Sequence, residues 1–99
     1  MNEKSFLINY FNNCSDFLGK EDIIQKIISA KKEILNASNN GNKLIFAGNG
    51  ASASIANHAS LDFTKQGKVK SINFNESAFI TAFANDYGYE NWISQALSF

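Results

Sequence analysis

His58 and Asp62 stand four positions apart in the stretch Ser54-Ile55-Ala56-Asn57-His58-Ala59-Ser60-Leu61-Asp62. On a helix, that spacing projects both side chains from one face. An imidazole and a carboxylate so placed can share one metal ion, or can hydrogen-bond to each other. A metal takes three or four protein ligands. His58 is the only histidine and Cys14, remote in sequence, the only cysteine, so further ligands would come from another segment or another chain.

Just upstream, the apolar run Leu44-Ile45-Phe46-Ala47 leads into Gly48-Asn49-Gly50-Ala51-Ser52. A strand, a glycine turn and a helix start make an anion site: glycine lets the backbone approach a ligand, and the first helical N–H groups point at it. Ser52 and Ser54 add hydroxyl donors and are candidate helix caps. The same turn also occurs in α/β proteins for geometry alone. The dinucleotide pattern G-x-G-x-x-G is met only in relaxed form, with Ala53 in the third position. The acid expected to hold a ribose is not evident, since Glu76 looks committed to a helix start, and no Gly-Lys-Ser/Thr follows the turn. A third group, Ala84-Asn85-Asp86-Tyr87-Gly88-Tyr89-Glu90, is rich in turn-forming residues. Either Asp86 caps a following helix while Tyr87 and Tyr89 pack, or Asn85 and Asp86 hydrogen-bond to ligand hydroxyls.

These groups need elements to place them. Phe6, Leu7, Tyr10, Phe11, Cys14 and Phe17-Leu18 recur at helical spacing, with Gly19 as a stop. Ile23, Ile24, Ile27, Ile28, Ala30, Ile34 and Leu35 mark one side of a second helix, ended by Asn39-Asn40-Gly41-Asn42. Lys43 to Ala47 then reads as a buried parallel strand. A helix follows to about Gln66, closed by Gly67, and Val69 to Phe74 is a second strand. Asn75 is a candidate cap for a helix over 77–84, with Glu76 in its first turn. Residues 85–89 interrupt that helix, and 90–97 resume it. The order α-α-β-α-β-α-α contains a βαβ unit with a parallel sheet. A two-stranded parallel sheet cannot cover both its faces. The 99 residues therefore read as the front half of an α/β domain, with leading helices over 1–41 and a βαβα portion carrying the ligand loop over 42–99.

Composition sets the outer bounds. Hydrophobic residues make up 44% of the chain and aromatics 13%, including nine phenylalanines, which argues for a packed core rather than disorder. The formal net charge is zero, so no basic excess points to nucleic acid and no acidic tail to a basic partner. A lone cysteine forms no internal disulfide. With no signal-like apolar core and no run long enough to span a membrane, the sequence predicts a soluble, cytoplasmic protein without a membrane partner.

Taken together, "AGNGASASIANHASLDF" and "AFANDYGYE", in that order behind two leading helices, resemble the phosphoheptose isomerases of the sugar isomerase (SIS) domain superfamily. The resemblance covers essentially the whole chain but only the first half of that family's usual length. It implies a SIS-type three-layer αβα fold with a parallel sheet. It also implies isomerisation of sedoheptulose 7-phosphate to a heptose 7-phosphate, toward lipopolysaccharide or capsule heptose. Asn49, Gly50, Ala51 and Ser52 would bind the sugar phosphate, Asn85 and Asp86 would contact the substrate, and His58 and Asp62 would ligate zinc. Asp62 would also contact the substrate and be the acid–base carboxylate. A homotetramer with the leading helices between subunits is implied as well. Ala51 stands for a usual glycine and Asp62 for a usual glutamate, one methylene longer. The family draws a further Gln and His for zinc, and a serine-rich phosphate loop, from a second half. A protein ending at Phe99 is accordingly expected to be inactive alone. The alternative is a non-catalytic SIS-domain protein that binds sugar phosphates or, as a replication regulator, the initiator DnaA.

Overall fold

The computed structural model describes residues 2–99. The chain forms two compact units, one up to Asn36 and one from Ala37 to Phe99.

In the first unit, helix α1 spans Glu3–Leu18. Asn2 caps it, its side-chain oxygen accepting from the Ser5 N–H at 2.8 Å, and Gly19 ends it as the sequence predicts. Helix α2 spans Glu21–Asn39 and carries Glu21 and Asp22 in its first turn, where negative charge meets the positive end of the helix dipole. Gln25 reaches back one turn to Glu21 at 2.8 Å. No residue of either helix is buried. The α1 stripe of Phe6, Leu7, Tyr10 and Phe11 is exposed, and so is Ile27 of α2.

In the second unit, Gly41 at φ +75° turns the chain out of α2. Strand β1, Leu44–Phe46, then pairs in parallel with β2, Ser71–Asn73, with Ile45 opposite Ile72. Helix α3, Ala51–Lys65, connects them and packs on both strands. Ala56 and Ser60 are its buried positions, and Phe63 meets the Phe46 ring at 5.4 Å. Thr64 ties the helix to the second strand by donating to the Ser71 carbonyl at 3.2 Å. Both strands are shorter than the sequence suggests. Nor is β1 buried: Ile45 and Ile72 are 41% and 37% exposed on the sheet face that α3 does not cover. Two strands with one helix between them shelter one face well, and the alternation of side chains puts every second residue on the other.

Helix α4, Ser77–Tyr87, leads through a 3-10 turn at Tyr89–Asn91 into α5, Trp92–Ser98, which packs on α4. Phe74, Phe79, Phe83 and Tyr87 stack in sequence at 5.7, 5.8 and 5.8 Å. Val69, Trp92 and Ala96 are buried with Ala56.

Two local expectations are corrected. The α4 cap is Glu76, not Asn75: Glu76 takes the extended backbone conformation of a cap, and its carboxylate accepts from the N–H groups of Ala78 at 2.9 Å and Phe79 at 3.4 Å. Asn75 is engaged elsewhere, as described below. The helix also does not break at Asn85. It runs through Asn85 and Asp86 to Tyr87, and Gly88 at φ +88° makes the break. Asn and Asp favour turns but tolerate a last helical turn, whereas that φ belongs to glycine. Replacing Glu76 by alanine removes the acceptor for two N–H groups, and should lower unfolding stability by about 1 kcal/mol. Urea denaturation followed by circular dichroism measures it, with Glu76→Gln as a comparison that keeps an acceptor oxygen at the cap.

Candidate functional site

The glycine turn joins the end of β1 to the start of α3. A Cβ on Gly48 would collide with the Ser52 backbone, so no other residue fits there without moving the helix. Gly50 has φ +59° and ψ −127°, the dihedrals of the first central residue of a II′ turn. The Ser52 N–H closes that turn on the Asn49 carbonyl at 3.0 Å, and the Ala53 N–H bonds the Gly50 carbonyl at 3.0 Å. Helix α3 therefore starts without a side-chain cap. Neither Ser52 nor Ser54 serves as one, because the glycine at the cap position has already turned the chain and both serines fall inside the helix. Their hydroxyls make no hydrogen bond among the described residues.

Asn49, Gly50, Ala51 and Ser52 are thus consecutive at a helix N-terminus, all exposed. At 1.5 Å rise per residue, His58 lies about 9 Å further along the helix axis than Ser52. Ala51, Ser54, Ile55, His58 and Asp62 fall in one stripe at helical spacing. The stripe is opposite the buried Ala56 and Ser60, and Ser54, Ile55, His58, Ala59 and Asp62 line a shallow open groove. His58 Nε2 lies 3.2 Å from Asp62 Oδ2, with the two side chains 72% and 47% exposed. An exposed pair of this kind contributes only about 0.3–0.5 kcal/mol to a helix, so it is not what holds α3 in place.

The pair meets one geometric requirement of zinc. Two ligands of a tetrahedral ion, each at about 2.0–2.1 Å, are about 3.3 Å apart. The observed separation suits both a shared metal and a direct hydrogen bond. No cluster of three or more His, Cys, Asp or Glu able to hold a metal occurs among the described residues. The chain thus places two possible donors, His58 and Asp62, on an outward helix face.

Asn85 and Asp86 lie in the last turn of α4. Asn85 Nδ2 donates to Asp86 Oδ1 at 3.3 Å, and neither residue bonds to the glycine turn. The corner after them does reach the turn: the Trp92 indole N–H donates to Asn49 Oδ1 at 3.1 Å. Asn75 Nδ2 donates to the Gly48 carbonyl. Neither contact has a local signal in the sequence, since the partners are 43 and 27 residues apart.

The chain is 38% identical over 80 residues to phosphoheptose isomerase 2 of Campylobacter jejuni, covering 75% of the chain and 40% of that protein. It is 30% identical over 100 residues to phosphoheptose isomerase of Aneurinibacillus thermoaerophilus, covering 95% of the chain and 50% of the relative. It is 42% identical over 74 residues to a probable phosphoheptose isomerase of Thermoplasma acidophilum, covering 68% and 40%. The chain belongs to the phosphoheptose isomerase family. It spans about half the length of the curated relatives it matches. No protein-family model and no solved structure matches it. The mixed α/β architecture with a short parallel sheet agrees with part of a SIS-type fold. No described helix is long and apolar enough to cross a membrane.

As a member of the phosphoheptose isomerase family, the chain carries alanine at position 51 beside a turn that already depends on two glycines. Crowding Gly48 with one further methyl should cost about 1–3 kcal/mol. Gly48→Ala should show that loss in urea unfolding, together with a changed chemical shift for the Ser52 amide.

Proposed function

We propose that this chain supplies one wall of an isomerase site that interconverts sedoheptulose 7-phosphate and a heptose 7-phosphate, for lipopolysaccharide or capsule heptose. The observation that carries the reading is the His58–Asp62 pair at 3.2 Å, on the outward face of a helix whose N-terminus is a glycine turn. A phosphorylated sugar needs an anion site at one end and acid–base chemistry at the other, and α3 offers both along its length.

Asn49, Gly50, Ala51 and Ser52 bind the phosphorylated sugar through backbone N–H groups, the Ser52 hydroxyl and the Asn49 carboxamide. Asn85 and Asp86 hydrogen-bond to its hydroxyls. His58 and Asp62 are two ligands of a zinc ion, the others coming from outside this wall. Zinc, when bound, supplies a Lewis acid for the negative charge that develops on a sugar oxygen. Asp62 takes the proton from the hydroxyl-bearing carbon beside the carbonyl and returns it to the former carbonyl carbon, while the hydroxyl proton passes from the first oxygen to the second, so that the carbonyl moves along by one position. A homotetramer in the cytoplasm is part of the same reading. The exposed apolar stripe of α1 is the surface that would be covered.

Asp62 is the point at which the reading can fail. The test measures conversion of sedoheptulose 7-phosphate by the full-length gene product, with zinc supplied and with zinc chelated. Turnover should require zinc, fall about 100-fold or more in Asp62→Asn, and persist in Asp62→Glu. Undiminished turnover in Asp62→Asn contradicts the assignment. Sugar-phosphate binding with neither zinc nor turnover would replace the enzyme by a non-catalytic SIS-domain regulator.

A further inference from the structure

Trp92 is 1% exposed, the largest fully buried side chain among the described residues. Its indole N–H reaches Asn49 Oδ1 at 3.1 Å. An indole nitrogen donates and cannot accept. It therefore decides which end of the Asn49 carboxamide lies inward: the oxygen must face Trp92, and the NH2 group is left as the free end. The turn is also held through Gly48, whose carbonyl accepts from Asn75 Nδ2. The Asn75 N–H in turn donates to Asn73 Oδ1 at 3.1 Å, which steadies the residue at the end of β2. Asn75 Oδ1 is buried without a partner. Reversing that amide would set oxygen against oxygen at Gly48, so the unpaired acceptor is the consequence of holding the carbonyl.

We propose that Trp92 is a positioning residue for the ligand turn. It holds the Asn49 carboxamide so that two N–H donors, rather than an acceptor oxygen, are offered to an oxygen-rich anion such as the phosphate of a sugar. Asn75 holds the preceding carbonyl from just before α4, and Trp92 reaches the turn from the first residue of α5. The assignment rests on the reading of the turn as a sugar-phosphate site.

The test uses Trp92→Phe, which keeps an aromatic ring in the cavity and deletes the N–H, alongside Asn49→Ala and the double variant. Calorimetry with sedoheptulose 7-phosphate should show Trp92→Phe weakening binding about three- to tenfold, the range for one net hydrogen bond. The double variant should bind within about twofold of Asn49→Ala alone, because both changes remove one interaction. Wild-type affinity in Trp92→Phe, or losses that multiply, would overturn the proposal. Amide exchange separates this from the reading beneath it. In Trp92→Phe the amides of Gly50–Ser52 should exchange about tenfold faster while those of Ala56–Ser60 keep their rates. If the wild-type protein binds no sugar phosphate, the ligand reading falls, and unchanged exchange in the turn would then overturn the positioning role as well. Should Trp92→Phe not fold, Asn49→Ala reports through the indole N–H, whose exchange should accelerate. An unchanged indole signal would overturn the proposal.

Discussion

The close approach of Gly48 to the backbone of Ser52 is the constraint on which the rest of the site depends. Because there is no Cβ at Gly48, the chain can leave β1 and enter α3 within a few residues. The II′-like conformation at Gly50 completes the change of direction and starts the helix without a side-chain cap. The direction of α3 then decides everything downstream. Ala56, Ser60 and Phe63 meet the sheet, and His58 and Asp62 face away from it. A side chain at position 48 would move the helix start and carry the outward stripe with it.

Helix α3 divides its work between two faces. The inward face uses small residues and one aromatic contact, which allow close packing on two short strands. The outward face carries an imidazole, a carboxylate and an exposed isoleucine, none of which stabilises the helix to any degree that matters. Groups so placed are free to serve a ligand. The connection before α4 and the start of α5 hold the same turn from later in the sequence, Asn75 through Gly48 and Trp92 through Asn49. The turn is thereby held at both of its first two residues, and the Ser52 N–H closes it on the Asn49 carbonyl.

The order of elements was legible in the sequence because apolar spacing changes cleanly, from helical in residues 6–35 to a short run at 44–47 and back. Gly19 and Gly41 marked ends that the structure keeps. What could not be read locally depends on partners distant in the chain. Asn75 looks like a cap until Gly48 claims its amide, and Glu76 then takes the role by virtue of its own carboxylate. Asn85 and Asp86 look like a break, yet only Gly88 has the φ that makes one. The strand at 44–46 looks buried by composition, but burial of Ile45 depends on what lies over the second sheet face. At the site, the His58–Asp62 spacing and the glycine turn were readable from sequence, whereas the Trp92–Asn49 contact required the fold.

On the proposed function, the glycine turn and the outward stripe of α3 form one ligand surface. Titration of the isotopically labelled protein with sedoheptulose 7-phosphate, followed by amide and imidazole chemical shifts, tests it most directly. Saturable shifts are expected at Asn49, Gly50, Ala51 and Ser52 and at the His58 ring, with α1 unperturbed. Absence of saturation, or shifts confined to residues outside the turn and α3, would contradict it.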